Sequence, residues 1–169
     1  MGKVFGRIGG SLGGYSLECI LEEDRIHGRL GGAVVGNDIN LWLSPEKDHL
    51  WGRIGGDVLG KDLNIAFEKN RAYGRLGGKT IGNDISLKET AGIIIGRVGG
   101  PVLGFSCRVR VSADLSKLSG RLGGSFIGAN VDLTLKDFPP LIASVMAATV
   151  YKIYQEHSRS KGVGAKTNP

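Results

Sequence analysis

Six arginines recur in one setting along this chain. Arg7, Arg29, Arg53, Arg75, Arg97 and Arg121 are each the second residue of a G-R-φ-G-G string, where φ is Ile, Leu or Val. A guanidinium offers a planar fork of N–H donors that matches a carboxylate or a phosphate two-prongedly, so such a series suits ion pairing or anion binding. The residue nine positions further on separates the two uses. It is Asp38, Asp62 and Asp84 in the second, third and fourth copies, but Ser16, Ser106 and Asn130 in the first, fifth and sixth. In a hairpin turning between residues such as Ala33 and Val34, positions i and i+9 face each other across the strands. Arg29/Asp38, Arg53/Asp62 and Arg75/Asp84 are therefore expected as outward cross-strand ion pairs, each contributing about 0.3–1 kcal/mol. Arg7, Arg97 and Arg121 lack that aspartate. With Arg108 and Arg110 on the wet face of the fifth repeat, they define an expected anion-binding stripe. Glu18 and Asp132 stand two residues further along their strands and temper it. A solvated charged face is the plainer alternative.

Other chemistry finds little footing. His27, His49 and His157 have no neighbour at metal-ligand spacing, and no metal or cofactor is expected. His27 occupies a slot held by Trp51, Tyr73 and Ile95 in other repeats, which points to packing. No nucleophile-elbow, zinc-protease or P-loop pattern occurs. The string Gly6 to Gly10 is not a dinucleotide fingerprint, because strands flank it on both sides. Aromatic residues make up 7% of the chain, too few for a base-stacking surface, so nucleic acid is not an expected partner. The net charge of +6 permits an anionic partner without demanding one. Cys19 and Cys107 fall at apolar strand positions, as expected of buried free thiols, with a disulfide as the alternative. A non-enzymatic binding or structural module is the expectation.

The elements that carry these residues follow from the repeat. Copies begin 22, 24, 22, 22 and 24 residues apart, a period that marks a repeat architecture. The extended motif G-R-φ-G-G-x-x-x-G accounts for 24 of the 29 glycines, so the glycine serves one repeated geometry. Each copy then continues with an apolar residue at every second position, as in Leu17, Cys19 and Leu21, or Ile39, Leu41 and Leu43. Period two with one wet face predicts antiparallel strands over a core. Each repeat supplies two strands, which makes about twelve over residues 1–137. The connections EEDR, SPEKDH, EKNR, KETAG and SADLSK read as exposed turns.

From Phe138 the pattern breaks. Asp137 and Pro139-Pro140 are helix-start signals, and Leu141 to Tyr151 is apolar on every side. A helix apolar all round is buried or in a membrane. Eleven residues span about 16 Å, roughly half a bilayer core. The sequence therefore predicts a core helix over 138–157, with a membrane or partner anchor as the alternative and no transmembrane span. Residues 158–169 read as a flexible basic tail. No hydrophobic run follows Met1, which predicts a cytoplasmic location, peripheral to a membrane at most.

Twelve antiparallel strands followed by one apolar C-terminal helix resembles the Tubby-like superfamily, which includes Tubby C-terminal domains, plant LURP-one-related proteins and phospholipid scramblases. The resemblance covers residues 1 to about 157 and is one of element order and length, so no functional residue transfers. It implies a closed barrel threaded by the helix, and a non-enzymatic protein that meets phosphoinositides or other membrane lipids. Physics separately favours closure, which removes sheet edges and gives the apolar helix a place. Ala143, Ser144, Ala147 and Ala148 on the helix suggest a tight fit against strand glycines. The alternatives are a self-assembling β-solenoid scaffold and a carbohydrate-binding β-prism. A solenoid would stack the six arginines about 4.8 Å apart, a destabilising like-charge ladder. A barrel spaces them about two strands, near 10 Å. For the prism, Trp42 alone on the expected outer face makes a poor sugar platform.

Overall fold

Alternating apolar residues, one per two along every segment, leave each strand with a face that water excludes, and six successive hairpins turn that face inward. The computed structural model describes residues 1–10, 13–32 and 35–164, with side chains to Lys161. The strands are β1 (Gly2–Gly9), β2 (Gly14–Glu22), β3 (Arg25–Gly31), β4 (Gly36–Leu43), β5 (His49–Ile54) and β6 (Lys61–Glu68). They continue as β7 (Arg71–Gly77), β8 (Gly82–Thr90), β9 (Ile93–Val98), β10 (Phe105–Val111), β11 (Lys117–Gly123) and β12 (Gly128–Lys136). One helix, α1 (Pro140–Gly164), follows. The turn expected at Ala33 and Val34 lies outside the described residues, as do 165–169.

Every strand pairs antiparallel with its neighbours in sequence, and β1 closes on β12, from Lys3 opposite Lys136 to Gly9 opposite Asn130. The result is a closed twelve-stranded barrel. A stacked-coil solenoid and a three-fold prism are both excluded by that single ring. Closure satisfies the backbone donors and acceptors that an edge strand would leave open. The expected inward face holds: Leu17, Cys19, Leu41, Ile65, Leu87 and Leu133 are all at most 2% exposed.

Eight strands make a barrel that side chains alone can fill. Twelve make a wider one, and α1 occupies it. Ile142 to Ile153 are buried without a break, more than three turns at 3.6 residues each, so every face of the helix is covered. Its neighbours include β1–β3 and β7–β9, on opposite sides of the ring. Pro140 opens the helix, where its missing N–H costs nothing. Two hydroxyls enter this core satisfied by the helix itself: Ser144 Oγ donates to Pro140 O at 2.9 Å and Thr149 Oγ1 to Val145 O at 2.9 Å. The helix runs on past His157, the end expected from sequence, through Gly164.

The first glycine of each motif faces inward between two buried apolar residues, as Gly52 does between Leu50 and Ile54. At Gly52 φ is +146°, and an added Cβ would lie 2.3 Å from Asn40 O and 2.8 Å from the Leu41 Cα. The constraint there is backbone of the adjacent strand. Strand-to-strand approach sets this position, while Gly123 lies against the Tyr151 hydroxyl of the helix. Gly52→Ala should lower unfolding free energy by roughly 1–3 kcal/mol. Gly56→Ala meets nothing within 4 Å and should change it by less than about 0.5 kcal/mol; chemical denaturation followed by circular dichroism compares them. A chain ending at Asp137 should show no cooperative unfolding transition in the same assay.

Candidate functional site

Each motif arginine projects outward at the base of the loop that joins its strand to the next. There Arg53, Arg75, Arg97 and Arg121 hold loop carbonyls as well as the residue nine positions on. Arg53 Nη1 donates to Asp62 Oδ1 at 2.7 Å, Nε to Gly56 O at 3.3 Å and Nη2 to Asp57 O at 2.9 Å. Arg75 does the same with Asp84, Gly78 O and Lys79 O, and Arg29 reaches Asp38 at 2.8 Å. The three expected ion pairs are therefore present, and in Arg53 and Arg75 the fork also clamps the carbonyls three and four residues ahead. Arg97 and Arg121, expected to lack a partner, use the same geometry. Arg121 Nη1 donates to Asn130 Oδ1 at 2.8 Å, with Nε to Gly124 O and Nη2 to Ser125 O. Arg97 Nη2 reaches Gly100 O and Pro101 O, and Nη1 makes a longer bond of 3.4 Å to Ser106 Oγ. Neutral acceptors replace the aspartate, so the clamp remains and the positive charge is not cancelled. The carbonyl half of this device has no side-chain signature in the sequence.

The expected stripe is partly assembled. In register, Arg108 on β10 stands directly opposite Arg121 on β11, and Arg110 opposite Ser119. On the other flank Arg108 meets Ile95, which meets Lys88 on β8. No carboxylate stands directly opposite Lys88, Arg108, Arg110 or Arg121. Arg7 on β1 lies two strands from Arg121, as Arg97 does on the other side, but Asp132 of β12 stands directly opposite Arg7. Lys88 is the member that sequence reasoning missed, since its place beside Arg108 depends on two intervening strand pairings. Two shallow depressions meet at Arg108. One of about 520 Å³ is lined by Ser86, Lys88, Ile95, Gly96 and Ser106. The other, about 350 Å³, is lined by Ile93, Arg110, Ser119, Gly120 and Arg121.

A second region lies at the end of the barrel where the G-G-x-x-x-G loops gather. Tyr151, Gln155 and Arg159 of α1 emerge there. A recess of about 420 Å³ is bounded by these residues, by Arg97 and Ser106, and by the loop residues Val102, Leu103 and Ile127. The buried Gln155 Oε1 has no hydrogen-bond partner. The helix end is fastened by Tyr15 Oη to His157 Nδ1 at 2.6 Å and by Lys61 Nζ to Glu156 at 2.9 Å.

Elsewhere the outer wall carries an aromatic pair. Trp51 stands directly opposite Trp42, whereas the sequence placed only Trp42 on the outer face. Both rings are already engaged, by the Arg25 guanidinium 4.9 Å over Trp42 and by the His49 ring 5.1 Å from Trp51. His27 is half-buried between Ile20 and Asn40. Among the described residues no three His, Cys, Asp or Glu side chains gather to hold a metal, and no helix is long and apolar enough to cross a membrane. Comparison with protein-family models, curated proteins and solved structures found no match to this chain.

The two cysteines are free and buried. Burial pushes both thiols up to about 12. Because the folded value lies above the ordinary one near 9, each thiol's contribution to stability is complete below that value and is lost as pH climbs towards 12. The native protein at pH 8 should resist iodoacetamide, and denatured protein should take up two equivalents by mass spectrometry. Arg75→Lys keeps a charge but loses the fork, and should cost about 1 kcal/mol with faster amide exchange across residues 76–82.

Proposed function

We propose that this protein is a non-enzymatic binding module whose basic wall over β8–β11 takes anionic, phosphate-bearing ligands of the membrane-headgroup kind. One observation carries the reading: Arg108 abuts Arg121 across two strands with no carboxylate opposite either. Like charges set directly opposite each other destabilise a sheet unless an anion lies between them. Lys88 and Arg110 extend the same face, and Ser86, Ser106 and Ser119 add hydroxyls around the two depressions. Arg121 spends three of its N–H donors on its own loop and Asn130; a guanidinium has five. The remaining donors and the whole of Arg108 suit phosphate oxygens. The element order, similar to that of the Tubby-like superfamily, supports the same ligand class. The self-assembling alternative loses support from closure, which leaves no open strand edge to stack on.

Pyrophosphate is the simplest probe of this wall. Titration calorimetry at low ionic strength should show binding that weakens steeply with added salt. The Lys88→Ala/Arg108→Ala/Arg110→Ala variant touches no loop clamp and should bind at least about tenfold more weakly at unchanged stability, a difference of about 1.4 kcal/mol. Equal affinity in the variant and the parent would remove the wall as the site.

A further inference from the structure

The joints between odd and even strands all lie at one end of the barrel, because strand direction alternates. Five of the six loops carry a branched aliphatic residue directly before the closing glycine, namely Val35, Leu59, Ile81, Leu103 and Ile127, whereas the first has Gly13 there. These tips are bare: Leu59 is 91% exposed, Ile81 85%, Leu103 69% and Ile127 81%, with Val102 at 87% and Phe126 at 100% one residue earlier. A soluble hairpin tip is ordinarily polar, and isolated exposed apolar residues need no explanation, but the same position is apolar in successive loops around one rim. The opposite end is built differently. Its turns are rich in carboxylates, including Glu23, Asp24, Asp48, Glu68 and Asp114.

Beneath the apolar tips, the clamp arginines stand at the loop bases, and the exposed Arg159 of the emerging helix borders the same end. Between the fifth and sixth loops apolar and cationic groups meet in the recess of about 420 Å³, which is lined by Val102, Leu103 and Ile127 together with Arg97, Arg159 and Gln155. Ser106 in place of aspartate leaves the Arg97 charge uncancelled there, and the unpartnered Gln155 Oε1 adds a polar group without a protein partner. A bilayer has the matching order, acyl chains first and anionic headgroups next, and an interfacial protein binds by that combination.

We propose that the loop crown is a membrane-docking face for anionic bilayers: its tips enter the interfacial region, and the recess between the fifth and sixth loops receives a phosphate headgroup between Arg97 and Arg159. A second copy docked crown to crown would set those cations against one another. A protein partner would require a continuous groove, whereas the tips are separate prongs about two strands apart, near 10 Å. The inference shares with the wall reading only a preference for anions, and it stands on different residues.

Sedimentation of the full chain with phosphatidylserine/phosphatidylcholine vesicles tests it. The Val102→Ser/Leu103→Ser/Phe126→Ser/Ile127→Ser variant changes only exposed tips and should retain its fold by circular dichroism. Its vesicle partitioning should fall by about tenfold or more. Arg159→Ala should narrow the preference for anionic over pure phosphatidylcholine vesicles. Phe126→Trp should add blue-shifted emission with vesicles, over a parent whose Trp42 and Trp51 lie on the side wall. Parental vesicle binding by the four-residue variant overturns the crown. So does emission from Trp at 126 that stays at its water value, or a concentration-dependent dimer abolished by the four substitutions while vesicle binding is absent throughout. If instead Lys88→Ala/Arg108→Ala/Arg110→Ala alone abolishes vesicle binding, the membrane contact belongs to the wall and the crown proposal fails. Loss in the crown variant with its fold retained supports the crown whatever the wall variant does.

Discussion

A helix that is apolar on every face and a barrel too wide to fill itself depend on each other here. Ile142 to Ile153 have no side that tolerates water, and a twelve-stranded ring is wider than the eight-stranded barrels that side chains alone can fill. Each is the only solution to the other's problem. The closure of β1 on β12 follows, because an open sheet could cover one side of the helix but not all of it. The polar exceptions are arranged to suit: Ser144 and Thr149 return their hydrogens to the helix backbone. Lys152 near the exit is held below its ordinary pKa by desolvation, against the pull of Glu156.

Once the ring is closed, its two ends and its wall acquire separate characters. The turn end is carboxylate-rich and built from tight turns, in which Glu23, Lys69 and Ala91 take positive φ. The loop end is glycine-rich, apolar at its tips and pinned from beneath by the arginine forks. Those forks give the recurring G-R-φ-G-G string a structural purpose in every repeat where the clamp is described. What varies among repeats is the counter-charge. Aspartate in the second to fourth repeats cancels the guanidinium; serine and asparagine in the fifth and sixth satisfy the hydrogen bond without cancelling the charge. A neutral acceptor is enough to hold the loop, so the surplus positive charge on that side of the barrel is separable from folding.

Much of this architecture is legible in the amino-acid sequence. The 22–24-residue period, the inward set around Leu17, Leu41 and Leu133, the apolar helix and the three arginine–aspartate pairs are all local or nearly local patterns. Steric alternation and a fixed hairpin length suffice to read them. The features that are not legible are of two kinds. Backbone carbonyls leave no trace in a sequence, so the clamp on Gly56, Gly78 and Gly124 is invisible there. Neighbours that belong to different hairpins, such as Lys88 beside Arg108 through Ile95, or Trp51 beside Trp42, require the register between repeats.

The sequence by itself therefore determined the elements: which residues alternate, where each hairpin turns, and that one helix must be covered on all sides. Those are consequences of side-chain polarity at spacings of two and nine residues. Only the tertiary structure decided the ring, with Asp132 set directly opposite Arg7, and with the apolar loop tips collected on one rim around the emerging helix. Closure sets those relations, because a residue's neighbours across a barrel depend on how all twelve strands share one circumference, a constraint that no single repeat contains.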